Sequence, residues 1–183
     1  MDKEFTIQCH DKSFSVPKAF INLCGHLKLI VEDETFESDS IQINAQQVTP
    51  AIFEEILRYF SIHNGNPTIG INKLVSHKLE DNMSPEDIQF ISKYDVCKGD
   101  DLANLEKAAT FLQIEPLQEL ISLTVATEIY FDGTYESFDE MKRRNEISGE
   151  TTVDEEQRYR ETYIWVHQYD HENLGNKMAQ MGV

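Results

Sequence analysis

The sequence is poor in the residues that mark several common protein classes. Only three of its 183 residues are cysteine, and no two of them are closely spaced, so a disulfide framework is not expected. Five prolines and eight glycines are too few for a low-complexity chain, and 40% of the residues are hydrophobic. No stretch approaches the ~20 consecutive apolar residues of a membrane-spanning helix. These shortages favour one globular domain, with or without a helical appendage.

Positive charge is also scarce. Lysine and arginine number 16 against 33 aspartates and glutamates, which gives a formal net charge of −17. Binding to nucleic acid or to an anionic membrane needs clustered lysine and arginine, because much of the affinity for phosphate comes from released counterions. No window of the sequence supplies such a cluster, so we expect neither partner. A protein partner with a basic surface fits the charge, and so does solubility alone.

The cellular location predicted from the sequence is the cytoplasm, the nucleus or both. The first residues, MDKEFTIQCHDKSF, contain no apolar segment of the kind found in signal peptides. An odd number of cysteines without close pairs also suits a reducing compartment.

Short strands come first along the chain. The runs FTIQ and SFSV alternate apolar and polar residues around CHDK, which predicts a β-hairpin. After Pro17 apolar residues recur every three or four positions, with an interruption at Gly25, so we expect two short helices with a bend. The run IQI predicts a third strand. Thr49 as cap and Pro50 at the first helical position then start a longer helix.

The rest of the chain is predicted to be helical, with one long loop. Residues 64–82 have turn residues and no clean period, which predicts an exposed loop. A cap at Ser84 restarts a helix, and two more helices follow over 100–129. A polar amphipathic helix is expected over 134–145. A capping box begins the last helix, which carries the only tryptophan, Trp165.

No arrangement of residues predicts an active site. Cys9 and Cys24 each lie near a histidine, but neither has the electropositive setting that activates a thiolate. Cys24 falls on an apolar helix face, where a buried and inert thiol is expected. His167 and His171 have the spacing of two metal ligands on a helix, but no third ligand is near. We therefore predict no metal, no cofactor and no catalytic activity of the chain's own.

The order of the segments resembles the BTB/POZ fold, and the chain resembles the S-phase kinase-associated protein (Skp) family, the adaptors of SCF ubiquitin ligases. The stretches that carry the likeness are IQINAQQVTPAIFEEILRYFSIH, AATFLQIEPL and TTVDEEQRYRETYIW. The resemblance implies an α+β fold, with a small three-stranded sheet flanked by helices and a C-terminal helical extension. The chain departs from the family pattern at Glu106 and Lys107, which replace apolar residues, and at Thr110, which replaces asparagine.

The resemblance also implies three regions and a function. Residues 1–130 would form the BTB/POZ-like domain that faces a cullin, residues 131–168 the helices that bind an F-box, and residues 169–183 a disordered tail. The chain would then bridge F-box proteins and a cullin scaffold. Such tethering acts through effective concentration, so it needs two surfaces and no reactive residue.

The site residues follow from the same resemblance. Thr110 and Phe111 would bind the cullin. The residues expected to bind an F-box are mostly apolar or aromatic and lie on the last helices: Leu117, Ile121, Val125, Phe138, Met141, Tyr159, Tyr163 and Trp165. Without an F-box protein, the BTB-like face would be available for a homodimer.

Two other functions stay open. One is a self-associating BTB-like scaffold without a role in ubiquitin ligases, which exposed apolar residues on the helices of residues 20–30 would favour. The other is a cysteine-dependent enzyme, which labelling of a reactive thiolate at neutral pH would reveal.

Overall fold

The structure, a computed structural model, describes residues 4–33, 35–67, 74–96, 100–130 and 135–147. The chain divides into two units after Asn145, and only residues 146 and 147 of the second unit are described. The described residues form a mixed α+β fold with these elements: β1 (Glu4–Cys9), β2 (Lys12–Pro17), α1 (Lys18–Leu23), α2 (Gly25–Glu32), β3 (Ser40–Ile43), α3 (Pro50–Ile62), α4 (Leu79–Asn82), α5 (Pro85–Ile91), α6 (Asp101–Leu112), α7 (Glu115–Glu128) and α8 (Tyr135–Arg144).

A three-stranded sheet in the order β2-β1-β3 forms one side of the core. β1 and β2 are antiparallel and place Phe5 opposite Val16, while β3 runs parallel to β1 and places Ile41 opposite Ile7. Alternate residues of each strand point to the same face, and these four side chains are buried. The predicted hairpin and third strand are therefore confirmed.

The two helices after the hairpin meet at a bend, as predicted. Cys24 has extended backbone angles (φ −92°, ψ 99°), which ends α1, and Gly25 begins α2. Phe20, Cys24 and Leu27 are buried at spacings of three and four. The bend lets both short helices turn their apolar residues to the same core.

The longest helix of the first half begins where the sequence predicts. The Thr49 hydroxyl oxygen accepts a hydrogen bond from the Ile52 amide at 3.3 Å, and Pro50 occupies the first turn. The Phe53 ring packs edge-on against Phe20, with ring centroids 5.6 Å apart. α3 is thus held against α1 by aromatic contact, which adds to the area buried.

The prediction of an exposed loop over residues 64–82 is wrong at its end, where α4 forms a helical turn. Asn82 is only 1% exposed. Its side-chain oxygen accepts from the Val75 amide, and its amide donates to two carbonyls of residues 74–78 and to the Thr127 hydroxyl. A buried polar group without hydrogen-bond partners would lower the stability of the fold. The hydrogen bonds of the Asn82 side chain therefore hold this segment in place against α7.

The remaining helices complete the core. The Ser84 hydroxyl accepts from the Asp87 amide at 3.1 Å, so the predicted cap of α5 is confirmed. Leu105 and Leu112 of α6 and Leu117 of α7 are buried in the same core as the sheet face. In the part of the chain that the structure describes, no helix is long and apolar enough to cross a membrane.

Candidate partner-binding surfaces

The end of α6 is joined closely to the start of α2. Gln113 ends α6 in the left-handed region (φ 56°), and its carbonyl oxygen accepts a hydrogen bond from the Gly25 amide at 3.1 Å. A Cβ atom on Gly25 would lie 2.9 Å from Gln113 Oε1 and 3.0 Å from Gln113 Cβ. Only glycine allows this approach without a shift, so the joint fixes the position of α2 against α6.

The two residues expected to face a cullin have different surroundings. Thr110 is exposed, donates to Glu106 Oε1 at 2.9 Å and accepts from Gln118 Nε2 at 3.1 Å. Phe111 is half-buried, and its ring lies against the His26 ring with centroids 4.9 Å apart. Phe111 is therefore partly a packing residue that holds α2, and partly available at the surface.

An exposed apolar side chain on α2 continues this surface. Leu29 is 64% exposed and lies one helical turn after His26, on the same side of the helix. We call His26, Leu29, Thr110 and Phe111 the α2–α6 surface. An apolar and aromatic centre with a polar edge suits contact with another protein. The sequence signal for Leu29 is that it falls outside the buried three-and-four spacing of its helix.

The apolar positions of α7 separate into buried and exposed residues. Leu117 and Ile121, both expected to bind an F-box, are buried in the core, whereas Val125 is 38% exposed. Ile129, at the end of the helix, is 53% exposed. Val125 and Ile129 are one turn apart on one side of the helix, and we call this pair the α7 row. Among the described residues, the row is the exposed apolar part of α7.

The buried side of α7 carries two threonines between its apolar residues. Thr124 donates to the Leu120 carbonyl at 2.7 Å and Thr127 to the Leu123 carbonyl at 2.8 Å. These bonds to the preceding turn satisfy hydroxyl groups inside the core. They explain why the apolar pattern of α7 is interrupted without breaking the helix.

α8 belongs to the first unit and is tied to the end of α7. The Arg144 guanidinium donates to the Tyr130 carbonyl at 3.0 Å, and the side-chain Nδ2 of Asn145 donates to the Glu128 carbonyl at 3.2 Å. Met141 is buried. The side chain of Phe138 lies outside the described part of the structure, as do the residues Tyr159, Tyr163 and Trp165.

The described thiols are not set up for nucleophilic chemistry. Burial raises the pKa of Cys24 above its ordinary value, and burial together with the charge of Asp11 raises the pKa of Cys9. Cys9 also donates to the Val48 carbonyl at 3.2 Å. Among the described residues no group of three potential metal ligands comes together; His167 and His171 lie outside them.

An ionic cluster that the sequence did not predict joins α3 to the residues after α5. Glu55 Oε2 lies 2.5 Å from Lys93 Nζ and 2.9 Å from Arg58 Nε, and it accepts from the Tyr94 hydroxyl at 3.2 Å. Burial alone would raise the pKa of Glu55, but the hydrogen bonds and charges of Lys93 and Arg58 outweigh it and hold this pKa below its usual value. Burial, with the charge of Glu55, raises the pKa of Tyr94.

Comparison of the chain with protein-family models gives no match, and no curated protein matches it.

Proposed function

We propose that this chain is an adaptor subunit of an SCF-type ubiquitin ligase, a divergent relative of the Skp family with a BTB/POZ-like domain. It would join an F-box substrate receptor to a cullin in the cytoplasm or nucleus and would have no catalytic activity of its own. In this proposal the α2–α6 surface contacts the cullin. The α7 row contacts the F-box, together with α8 and the segment that carries Trp165.

The observation that carries the proposal is that α7 contacts one candidate surface near its start and carries the other at its end. Gln118, near the start of α7, hydrogen-bonds to Thr110 of the α2–α6 surface. Ile129, at the end of α7, lies 11 residues later (129 − 118), which is about 16 Å along the helix at 1.5 Å per residue. One packed helix therefore separates the two surfaces by a fixed distance, as an adaptor requires.

The fold supports the proposal through its order and its sheet. A hairpin, a bent helix pair, a third strand and a capped helix follow one another in the order that the resemblance implies. The buried thiols also fit a protein that acts by tethering. Glu106, which replaces an apolar family residue, accepts a hydrogen bond from Thr110, so the departures lie on the expected cullin side.

The test is affinity capture from cell extract with identification of the bound proteins by mass spectrometry. The wild-type chain should recover F-box proteins together with a cullin. Thr110→Arg, an exposed change, and Phe111→Asp should lose the cullin and keep the F-box proteins. Ile129→Asp should lose the F-box proteins. Val75→Asp is the matched control, because Val75 is also 53% exposed but lies outside both surfaces.

Each variant also needs a thermal unfolding curve. Phe111 is half-buried, so Phe111→Asp could act by unfolding; a large drop in melting temperature with loss of both partners would assign Phe111 to the core. Recovery of neither F-box proteins nor a cullin by the stable wild-type chain would refute the adaptor proposal. F-box proteins without a cullin would limit the function to one of the two contacts.

A second candidate function is a self-associating scaffold, which the exposed Leu29 on α2 favours. Two copies that met through this helix would remove the apolar side chain from water. The mass of the protein in solution, measured across a range of concentrations, distinguishes the two functions. A dimer that Leu29→Arg converts to a monomer would favour the scaffold, and a concentration-independent monomer would exclude it.

A further inference from the structure

A pocket of about 480 Å³ opens between the start of α3, the residues after α5 and the start of α6. Its volume falls within the range of ligand sites, ~300–1,000 Å³. Ile52 and the buried Leu105 give the pocket apolar lining, while Asp101, Asn104 and the ion pair of Glu55 with Lys93 give it polar lining. A pocket lined by apolar side chains and a few polar groups is suited to a side chain that is apolar along its length and polar at its tip.

The polar groups of the pocket differ in whether they are already paired. Glu55 accepts from Lys93, Arg58 and Tyr94, so its charge is compensated. The carboxylate of Asp101 has no hydrogen bond or ion pair within the part of the chain that the structure describes. The half-buried side-chain amide of Asn104 is likewise without a partner there. Among the described residues, the pocket thus offers the unpaired carboxylate of Asp101 beside the unpaired side-chain amide of Asn104.

We propose that this pocket binds an arginine side chain of a partner protein. The methylene stem would lie on Ile52 and Leu105, and the guanidinium would donate to the Asp101 carboxylate and to the side-chain oxygen of Asn104. Arginine fits better than lysine, because its planar group presents several N–H donors to two neighbouring acceptors at once. The net charge of the whole chain, −17, favours a partner with a basic surface.

The pocket is separate from the surfaces of the proposed function. Asp101 and Thr110 are nine residues apart (110 − 101) on α6, which at about 100° per residue places them on opposite sides of the helix. The inference therefore does not depend on the adaptor proposal. The other role open to Asp101 is electrostatic, since an acid in the first turn stabilises the positive end of a helix.

The experiment is an NMR titration of the full isotopically labelled chain with the blocked peptide acetyl-Gly-Arg-Gly-amide. The controls are the same peptide with citrulline, which keeps the shape but not the charge, and with lysine. We expect saturable shifts of the Asn104 side-chain amide and of the Lys93 and Tyr94 backbone amides with the arginine peptide, weaker binding of the lysine peptide and none of the citrulline peptide.

Variants connect the binding to the named groups. Asp101→Asn should weaken arginine-peptide binding by about tenfold or more, and Asn104→Ala should weaken it as well. Glu106→Gln removes the same charge from the other side of α6 and should leave the binding unchanged. Equal binding of the citrulline peptide, unchanged binding in Asp101→Asn, or no saturable shift up to the solubility of the peptide would each overturn the proposal. A lower melting temperature of Asp101→Asn with unchanged binding would assign Asp101 to the helix end alone.

Discussion

Replacing Gly25 with alanine should destabilise the protein, because the added Cβ would come too close to one residue, Gln113. The added Cβ would meet Gln113 Oε1 at 2.9 Å and Gln113 Cβ at 3.0 Å. The first of these atoms can move, but the second is held by the backbone at the end of α6. Overpacking of this kind costs ~1–3 kcal/mol of stability. Alanine at position 25 also lowers the conformational entropy of the unfolded chain, but this offsets only ~0.4–1 kcal/mol of that loss.

The expected net loss is about 1.5 kcal/mol in the free energy of unfolding, or roughly 3–6 °C in melting temperature for a chain of this size. The variant Gln113→Gly tests whether contact with the Gln113 side chain causes this loss of stability. It removes both clashing atoms and relieves the left-handed φ of 56° at Gln113. In that background Gly25→Ala should cost about 1 kcal/mol less than in the wild type, a coupling well above the ~0.3–0.5 kcal/mol scatter of independent sites.

Urea denaturation of the wild type, the two single variants and the double variant measures this coupling. The reasoning fails if Gly25→Ala is neutral or stabilising, or if its cost is the same with glycine at position 113. The joint also positions α2 against Phe111. If the adaptor proposal holds, Gly25→Ala should therefore weaken cullin binding, and the double variant should restore both cullin binding and stability.

Three further predictions concern other parts of the molecule. Trp165→Ala should weaken F-box binding by at least ~2 kcal/mol, about thirtyfold, without lowering the melting temperature; a destabilised protein with unchanged calorimetric affinity would contradict it. Asn82→Ala should cost ~1–3 kcal/mol, because it removes the hydrogen bonds made by a buried side chain. Hydrogen exchange at the Val75 amide should become faster; unchanged exchange would show that Asn82 does not hold this segment in place. The Glu55 pKa is lower in the folded state than its ordinary value of 4.5. The ionised carboxylate therefore stabilises the fold above pH 4.5, and this stabilisation is lost as the pH falls through the folded pKa. The difference in free energy of unfolding between wild type and Glu55→Gln should shrink over that range, and a difference independent of pH would contradict the prediction.

The elements that could be predicted from the sequence depend on short-range chemistry. Thr49 and Ser84 satisfy backbone amides three residues away, so a cap can be recognised in the sequence alone. The hairpin follows from alternation on either side of one turn, and the bend at Gly25 from the interruption of a helical period. In each case the residues that determine the structure are neighbours in the sequence.

The features that escaped prediction depend on residues far apart in the chain. Asn82 reads as a loop residue, and its burial follows from a hydrogen bond to Thr127, 45 residues later. The Glu55–Lys93 pair joins α3 to the turn after α5, and no local pattern encodes how these two segments pack. Phe111 lies in an apolar helix of ordinary period, and its partial exposure depends on where the joint at Gly25 places His26.

The narrow sheet has a consequence for how other chains can approach it. In the part of the chain that the structure describes, the sheet has three strands, and β2 and β3 are its edges. β2 begins with Lys12 and ends with Pro17, which has no N–H to donate, and β3 is four residues long. Charge, proline and shortness all discourage the addition of a foreign strand. Backbone pairing is therefore disfavoured at these two edges. A partner protein would instead have to contact side chains on the helices, where a single substitution can change one contact at a time.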